Sequence, residues 1–319
     1  IILFSFLFYL SVPALYDYER LQNQLKLQLS NKFHLNVDVS KKIKYRILPS
    51  PHFELIDSKL YSNSSIEPQL IGELKNSKIF IEVNKIYSQK KIKIKNVILS
   101  KSVFNFNKEN INFLSENIKK KKSEKKIIVK KSKFFFKNKE ETIVIFPINN
   151  LEIFYNKKNF SNIVNLNGLA FNSRFNFSLT KQFNDDKKLL FNLKFPSANL
   201  SLKNSIEKIK NNEKHYRSLM TVNFLGSQIK TELNINQNLL KFFSTNSKIS
   251  NNNLKYSGSV NFKPFYLKSD IFIEKIELGK IFNNDYLISN LLKSDFSIHK
   301  NFNSKISIKA DSFFKNKIF

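Results

Sequence analysis

Apolar and polar side chains alternate with a period of two residues through most of the stretch 34–106, and this pattern constrains the fold more than any other feature. The alternation is strict in residues 35–39 and 43–47, breaks at the Pro-containing segment 48–51, and resumes from Phe53 in several short runs. A two-residue period places apolar side chains on one face of an extended strand and polar side chains on the other. The stretch therefore predicts a meander of half-buried strands.

Similar alternating runs recur through the C-terminal half of the chain. Phe175 and Phe177 alternate with polar residues before the turn-like segment 184–187, and Phe191 and Leu193 do so after it, which predicts a β-hairpin. In an antiparallel sheet this pattern gives one dry face and one wet face. The same alternation also builds a β-sandwich, in which the dry face packs on a second sheet. The predicted fold class is therefore mainly β, with the β-sandwich as one way of arranging the strands.

An uncharged and almost wholly apolar segment occupies residues 1–15. It is shorter than the roughly 20 residues that span a bilayer. Because the chain does not begin with Met, we expect that residues are missing before it and that the complete segment is a membrane anchor. A cleaved signal peptide is one alternative, although no Ala-x-Ala site follows, and a buried helix of a soluble protein is another. The apolar residues expected in the anchor are Ile1, Leu3, Phe4, Phe6, Leu7, Phe8 and Leu10.

A short amphipathic helix is predicted for residues 16–32. Leu21, Leu25 and Leu29 repeat at i, i+4 and i+8 between Gln, Asn and Lys residues, which gives a narrow apolar stripe along one helix face. We expect this helix to join the anchor to the first strands and to cover part of the sheet.

The chain divides into four predicted segments. Residues 1–15 form the anchor, and residues 16–118 contain the helix and the β-meander. Residues 119–132 are rich in Lys and are interpreted as a linker or solvated loop, or as a contact with anionic head groups. Residues 133–319 contain further β-units, which we expect to continue beyond the end of the sequence.

The overall charge of the chain is +29, from 54 basic and 25 acidic residues. Such an excess suits a polyanionic partner, but it is almost entirely Lys and accompanies abundant Asn, Ile and Phe, which A/T-rich codons encode. No nucleic-acid recognition motif is present, so we expect no nucleic-acid partner. The chain has no Cys, which excludes disulfides and thiolate metal sites without deciding the compartment.

The residues do not assemble into an enzyme site in the sequence. The four His residues are scattered without metal-ligand spacing, and no Gly-rich phosphate loop or Gly-x-Ser-x-Gly motif occurs. The acidic pairs Glu140–Glu141 and Asp185–Asp186 lie in polar, turn-like surroundings, where a tuned acid–base pair is not expected. The sequence therefore predicts a protein that is not an enzyme and uses no cofactor or metal.

The order of these features resembles the AsmA family of bacterial envelope proteins. The matching parts are the apolar N-terminus, the amphipathic helix, the strand–strand–Pro-turn–strand pattern of residues 37–60, and the strands in 72–83 and 91–107. The resemblance covers about residues 1–115, and it departs from the family where Ser40–Lys41 replace a common Gly. It implies an inner-membrane anchor with the bulk of the chain in the periplasm.

The resemblance extends to the chorein-type bridge proteins, which are built from repeated β-groove units. It implies an elongated antiparallel sheet curved into a groove, whose apolar face carries phospholipid acyl chains between the inner and outer membranes and so supports outer-membrane homeostasis. The implied partners are the membrane, phospholipid and other envelope proteins. The alternatives are an envelope scaffold that affects outer-membrane assembly without carrying lipid, and a basic surface binder of lipopolysaccharide or other polyanions.

The candidate lipid-contacting residues are apolar members of the alternating runs. Which set faces the groove depends on strand register, because a shift of one residue exchanges the two faces. The candidates are Leu35, Val37, Ile43, Tyr45, Ile79, Ile81, Phe175, Phe177, Phe191 and Leu193.

Overall fold

The computed structural model has a mainly β architecture that divides into two compact units. Unit 1 is Ile1–Ala170 and unit 2 is Phe171–Phe319. The boundary between them falls inside the predicted 133–319 segment. The structure describes residues 2–33, 36–62, 68–107, 125–138, 141–183, 188–209, 215–249, 252–277 and 303–314.

Unit 1 begins with helix α1 (Ile2–Ser11), which is followed by one 3-10 turn (Val12–Leu15). Six of the large apolar side chains of α1 are exposed, whereas Leu10 is buried. Among the described residues, no helix combines the length and the apolar character needed to cross a membrane.

Helix α2 (Tyr18–Phe33) confirms the predicted amphipathic helix to within two residues. The stripe of Leu21, Leu25 and Leu29 is buried, with exposed fractions of 0, 0 and 5%. Asp17 caps the helix, since its Oδ1 accepts a hydrogen bond at 3.0 Å from a backbone N–H of the first turn. The i, i+4 spacing therefore places all three leucines against the sheet, as the sequence predicts.

Nine strands follow in the described part of unit 1, with two short 3-10 turns between the fourth and fifth. The strands are β1 (Asn36–Asp38), β2 (Ile43–Arg46), β3 (His52–Tyr61), β4 (Leu70–Ile81), β5 (Ile94–Ser100), β6 (Val103–Phe106), β7 (Ile127–Asn138), β8 (Glu141–Asn156) and β9 (Ser161–Ala170), and the 3-10 turns are Val83–Lys85 and Gln89–Lys91. Residues 127–132 of the predicted Lys-rich linker thus belong to β7, and residues 119–124 lie outside the described part.

The sheet of unit 1 is mixed rather than purely antiparallel. β1 and β2 pair with β3, β3 with β4, and β4 with both β5 and β6, all antiparallel. β7 then runs parallel to β5 and β6, before β8 and β9 complete an antiparallel series. The expectation of an antiparallel sheet is therefore wrong at β7. Parallel neighbours need a connection of a dozen or more residues, which residues 107–126 supply.

Unit 2 contains ten described strands. They are β10 (Ser173–Gln182), β11 (Leu189–Phe195), β12 (Leu200–Lys208), β13 (His215–Phe224), β14 (Ser227–Asn236), β15 (Leu239–Ser244), β16 (Ser247–Ile249), β17 (Asn252–Phe262), β18 (Phe265–Glu277) and β19 (Asn303–Phe314). β10 and β11 pair antiparallel, which confirms the predicted hairpin strands, although its turn 184–187 lies outside the described residues.

The strands of unit 2 follow one another in the sheet as an antiparallel meander up to β18. β15 and β16 together form one interrupted strand between β14 and β17. β19 pairs with β18 in parallel, a second departure from the antiparallel prediction. Within each unit, the described strands that pack extensively on one another are sheet neighbours. Backbone hydrogen bonds join these strands edge to edge, and the β-sandwich alternative stays a prediction.

Candidate functional site

A line of backbone irregularities crosses unit 1 through β3, β4, the junction between β5 and β6, β7 and β8, and we call it the crease. Its residues are Asp57, Lys75, Lys101, Lys131 and Asn149, which the pairings on either side place opposite one another. Three of them have positive φ angles: Asp57 at 61°, Lys101 at 55° and Lys131 at 48°. Because the left-handed backbone conformation interrupts the pleat at the same level on neighbouring strands, the sheet bends along this line.

The crease also changes which residues face inward. On each strand the buried side chains are two residues apart, but across the crease the spacing becomes three. The buried pairs that flank it are Leu55 and Ser58, Leu74 and Ser77, Leu99 and Ser102, Val129 and Ser132, and Ile148 and Leu151. The same face of the sheet therefore stays buried on both sides of the bend.

Serines occupy the inside of the bend. Ser58, Ser77, Ser102 and Ser132 are all nearly fully buried. Small side chains suit this position, because side chains converge on the inner side of a bend. The Ser132 hydroxyl accepts a hydrogen bond from the Ser102 backbone N–H at 3.0 Å and donates one to a backbone carbonyl on its own strand at 2.9 Å. The Ser132 hydroxyl thus replaces a ladder hydrogen bond that the bend interrupts.

The bent sheet encloses an apolar cavity of about 280 Å³ on its buried face. Eighteen of the twenty lining residues are apolar, and the other two are serines. The lining comprises Leu29, Val37, Leu55, Ser58, Leu60, Ile71, Leu74, Ser77, Ile79, Val97, Leu99, Phe104, Phe106, Ile127, Val129, Phe134, Leu151, Ile153, Val164 and Leu166. The cavity carries no charged side chain, so its chemistry selects an apolar ligand.

Helix α2 covers the cavity at one end. Leu29 contributes to the lining, and two glutamines tie the helix to the surrounding backbone. Gln22 Nε2 donates a hydrogen bond to the carbonyl of Val39, and Gln28 Nε2 donates one at 2.8 Å to the carbonyl of Ile92. These acceptors lie after β1 and before β5, so the helix is held at both sides of the cavity.

Three tyrosines fasten the N-terminal helices to the sheet. The Tyr9 hydroxyl donates a hydrogen bond to the carbonyl of Val83 at 2.9 Å, and Tyr16 donates one to the carbonyl of Ile86. Tyr45 donates to a carbonyl of α1 from the other side. Burial raises the pKa of the Tyr16 and Tyr45 hydroxyls to about 12, so both remain protonated donors at neutral pH.

The structure brings two of the predicted residues of unit 1 together in the cavity, Val37 and Ile79. Ile81 is buried but does not line the cavity, and Ile43 and Tyr45 are half-buried elsewhere. Leu35 lies outside the described residues. Most of the lining was missed, including the aromatic residues Phe104, Phe106 and Phe134, whose rings lie 5.2 Å apart in two edge-to-face pairs.

The four predicted residues of unit 2 share one face of its sheet. The register pairs Phe177 with Leu193, and the rings of Phe177 and Phe191 meet edge to face at 5.1 Å. Phe175 is buried, whereas Phe177, Phe191 and Leu193 are half-buried. The structure thus places these four residues on one face of the sheet, and their contact with lipid stays a prediction.

The register extends this apolar face across the unit 2 sheet. Its further members, all half-buried or exposed, include Leu202, Val222, Ile229, Leu233, Phe242, Val260, Leu267, Ile271, Ile306 and Ile308. Polar residues dominate the opposite face. Because these residues are half-buried or exposed, apolar surface remains accessible on this face.

A larger depression of about 750 Å³ in unit 2 has different character. Its lining includes the consecutive residues 253–257 of β17 and 270–272 of β18, together with Ser307 and Lys309. Its mixed polar lining lacks the uniform chemistry of the unit 1 cavity.

An ionic cluster lies on the outer face of unit 1. Glu54 accepts a hydrogen bond from Lys78 Nζ at 2.9 Å and lies 3.6 Å from Arg46 Nε and 3.5 Å from His52 Nε2. The hydrogen bond from Lys78 is the main reason that the pKa of Glu54 is lowered. The cluster joins β2, β3 and β4, which is a structural role. Among the described residues, no group of His, Asp and Glu has the arrangement of a metal site.

No family model, curated protein or solved structure matches this chain. The resemblance to the AsmA family therefore stays a prediction. Functional inference therefore depends on two features of the structure: the apolar cavity of unit 1, which contains two hydroxyl groups, and the apolar face of the unit 2 sheet.

Proposed function

We propose that this chain is a membrane-anchored protein of the AsmA type that binds phospholipid through its acyl chains. The unit 1 cavity binds an acyl chain, and the apolar face of unit 2 offers a second such surface. In keeping with the family resemblance, the anchor lies in the bacterial inner membrane, the bulk of the chain lies in the periplasm, and the bound lipid moves between the inner and outer membranes.

The observation that carries this proposal is the cavity of about 280 Å³ lined by eighteen apolar residues and two serines. Moving one methylene group from water into such an environment gains about 0.8 kcal/mol. An acyl chain therefore gains several kcal/mol along its length, while a charged head group gains nothing from entering. The lining thus favours a ligand with a long apolar chain over a polar metabolite.

The unit 2 sheet supports the same proposal. Phe177, Leu193 and Val222 on its apolar face keep part of their surface exposed, and exposed apolar area costs about 25 cal/mol per Å² relative to burial. A surface of this kind on a protein typically marks a binding region. Acyl chains would cover it without needing any specific polar contact.

Helix α1 supports the membrane anchor. Ile2, Leu3 and Phe4 are between 71 and 88% exposed, and Phe6, Leu7 and Phe8 are exposed as well. Contiguous apolar side chains on a helix surface are stable in lipid and costly in water. Of the predicted anchor residues, Leu10 differs because it is buried, and Ile1 lies outside the described residues.

The proposal is tested by native mass spectrometry of the protein extracted gently from membranes, with identification of the bound lipid. Wild type is expected to carry phospholipid. Val97→Phe combined with Val129→Phe fills the cavity with apolar volume and is expected to abolish that signal. The matched control is Ile98→Phe with Ile128→Phe, on the same strands but outside the cavity lining, and it is expected to retain lipid. A folded wild type without lipid would favour the scaffold alternative.

A second candidate function, binding of polyanions such as lipopolysaccharide, is favoured by three lysines of the crease. Lys75, Lys101 and Lys131 lie side by side along the crease, are exposed, and form no salt bridge within the described residues. Adjacent like charges repel, and an anionic ligand would relieve that repulsion. Binding that weakens steeply with salt and falls after Lys101→Gln with Lys131→Gln would support this function.

A further inference from the structure

One hydroxyl in the unit 1 cavity has no structural explanation. Ser77 lines the cavity and is 3% exposed, and its Oγ has no hydrogen-bond partner among the described residues. A buried hydroxyl without a partner costs about 1–3 kcal/mol. An alanine would fill the same space inside the bend without that cost.

The other serines of the crease differ from Ser77 in this respect. Ser58, which also lines the cavity, accepts a hydrogen bond from the backbone N–H of Ser40 at 3.2 Å. Ser102 and Ser132 are joined through the hydrogen bond already described. The need for a small residue at the bend therefore explains the size of Ser77 but not its hydroxyl.

We infer that the Ser77 hydroxyl is a hydrogen-bond donor to the bound ligand, and that the cavity takes a chain carrying a carboxylic ester. This inference rests on the proposed function and narrows its ligand class. An ester carbonyl oxygen is an uncharged acceptor, so it can enter an apolar cavity once a single donor satisfies it. A hydrocarbon would leave the hydroxyl unpaired, and a carboxylate would need more than one donor.

Two sources share this chemistry: a phospholipid, whose acyl chains are glycerol esters, and a free fatty ester. Because Ser77 lines the cavity, the ester group that it binds lies inside the cavity together with the first carbons of the acyl chain. The remaining chain then lies against the apolar lining on the Ser77 strand and its neighbours, where Leu74 and Ile79 also belong to the cavity wall.

The test uses the full chain and displacement of an apolar fluorescent dye by three probes: hexadecane, methyl palmitate and dipalmitoyl phosphatidylglycerol in detergent. Wild type is expected to bind methyl palmitate more tightly than hexadecane. Ser77→Ala is expected to lower the affinity for methyl palmitate about fivefold, which corresponds to the loss of one hydrogen bond, and to leave the affinity for hexadecane unchanged. An equal loss for the phosphatidylglycerol identifies phospholipid as the source, and no loss for it identifies a free ester.

Stability provides an independent readout. Ser77→Ala is expected to raise the urea midpoint of the ligand-free protein, because it removes an unpaired hydroxyl. Ser132→Ala is the matched control: it is expected to lower the midpoint and to leave the preference for the ester unchanged. Ser77→Cys, similar in size and a weak donor, is expected to lose affinity in the same direction as Ser77→Ala.

The outcomes separate the inference from the proposed function. If hexadecane and methyl palmitate bind equally to wild type, or if Ser77→Ala leaves their affinity ratio unchanged, the role of Ser77 is overturned while the cavity still binds chains. If none of the three probes displaces the dye from folded wild type, the proposed function fails as well.

Discussion

At the scale of single residues, the turn between β13 and β14 uses a residue poorly suited to its backbone. Leu225 has φ 44° and Gly226 has φ 73°, the pattern of a tight hairpin turn that prefers Asn-Gly. A leucine in the left-handed region is strained by about 1–2 kcal/mol. We expect Leu225→Asn to raise the free energy of unfolding by about 1 kcal/mol, measured by urea denaturation, and Gly226→Ala to lower it. A destabilised Leu225→Asn variant would show that the leucine side chain makes a compensating contact.

The contribution of Glu54 to the stability of the protein is expected to depend on pH. Its pKa is lowered, first by the hydrogen bond from Lys78, so the folded state favours the ionised carboxylate more than the unfolded state does. This stabilisation is complete above the unfolded pKa of about 4.3 and is lost as the pH falls through the lower folded pKa. Glu54→Gln should therefore destabilise the protein by about 1 kcal/mol at pH 7, and the difference from wild type should disappear in acid.

The control for Glu54→Gln is Glu73→Gln on the neighbouring strand β4, where the carboxylate is exposed and has no ion pair among the described residues. Urea denaturation of both variants between pH 3 and pH 7 is the measurement. A Glu54→Gln effect that stays constant across this range would mean that the loss is one of packing and not of charge.

At the scale of elements, the sequence predicted the strands of the cavity better than their faces. Val37 and Ile79 were found because each lies in a short, regular run. A single two-residue period fails across the crease, where Leu99 is followed inward by Ser102. A lysine at position 101 does not indicate a left-handed backbone conformation, whereas a Gly or Asn there would have done so. The sequence does contain a weak signal of the crease. On consecutive strands, the inward-facing positions move from odd to even numbers, or the reverse, at residues that lie opposite one another.

The parallel pairing of β7 with β5 and β6 was not predictable from local pattern. Hairpins follow from a turn between two alternating runs, as they do for β10 and β11. A parallel pair is joined by a long connection, and alternation is identical in parallel and antiparallel strands. The helix α2 was predictable because i, i+4 periodicity is itself a local signal.

The left-handed backbone at the crease can be tested by substituting Lys101. Lys101 has φ 55°, a conformation that Asn adopts readily and β-branched residues strongly resist. Lys101→Asn should raise the free energy of unfolding by about 0.5–1 kcal/mol, whereas Lys101→Ile should lower it by about 1–2 kcal/mol. Thermal or urea denaturation decides between them. Greater stability of the Ile variant would mean that residue 101 is extended and that the strand has no kink there.

At the scale of the whole molecule, each unit exposes or encloses apolar surface that strand pairing alone does not cover. Unit 1 bends its sheet around a cavity and covers one end with α2, and unit 2 presents one apolar face. The sequence predicted the one-sided character of both sheets through alternation. The alternation did not predict whether the apolar side is open or packed, because the strands of a β-sandwich have the same two-residue period.

The final prediction tests the apolar face of unit 2 by comparing neighbouring positions on the same strands. Phe177→Asp and Phe191→Asp, made singly, each place a carboxylate on the apolar face, and each should reduce the phospholipid that remains bound in native mass spectrometry. Ser178→Asp and Asn192→Asp add the same charge one residue later, on the opposite face, and should leave the bound lipid at the wild-type level. Because alternate strand residues point to opposite sides, only a ligand on the apolar face distinguishes the two sets. Equal lipid in all four folded variants would remove unit 2 from the lipid-binding surface and leave the unit 1 cavity as the site.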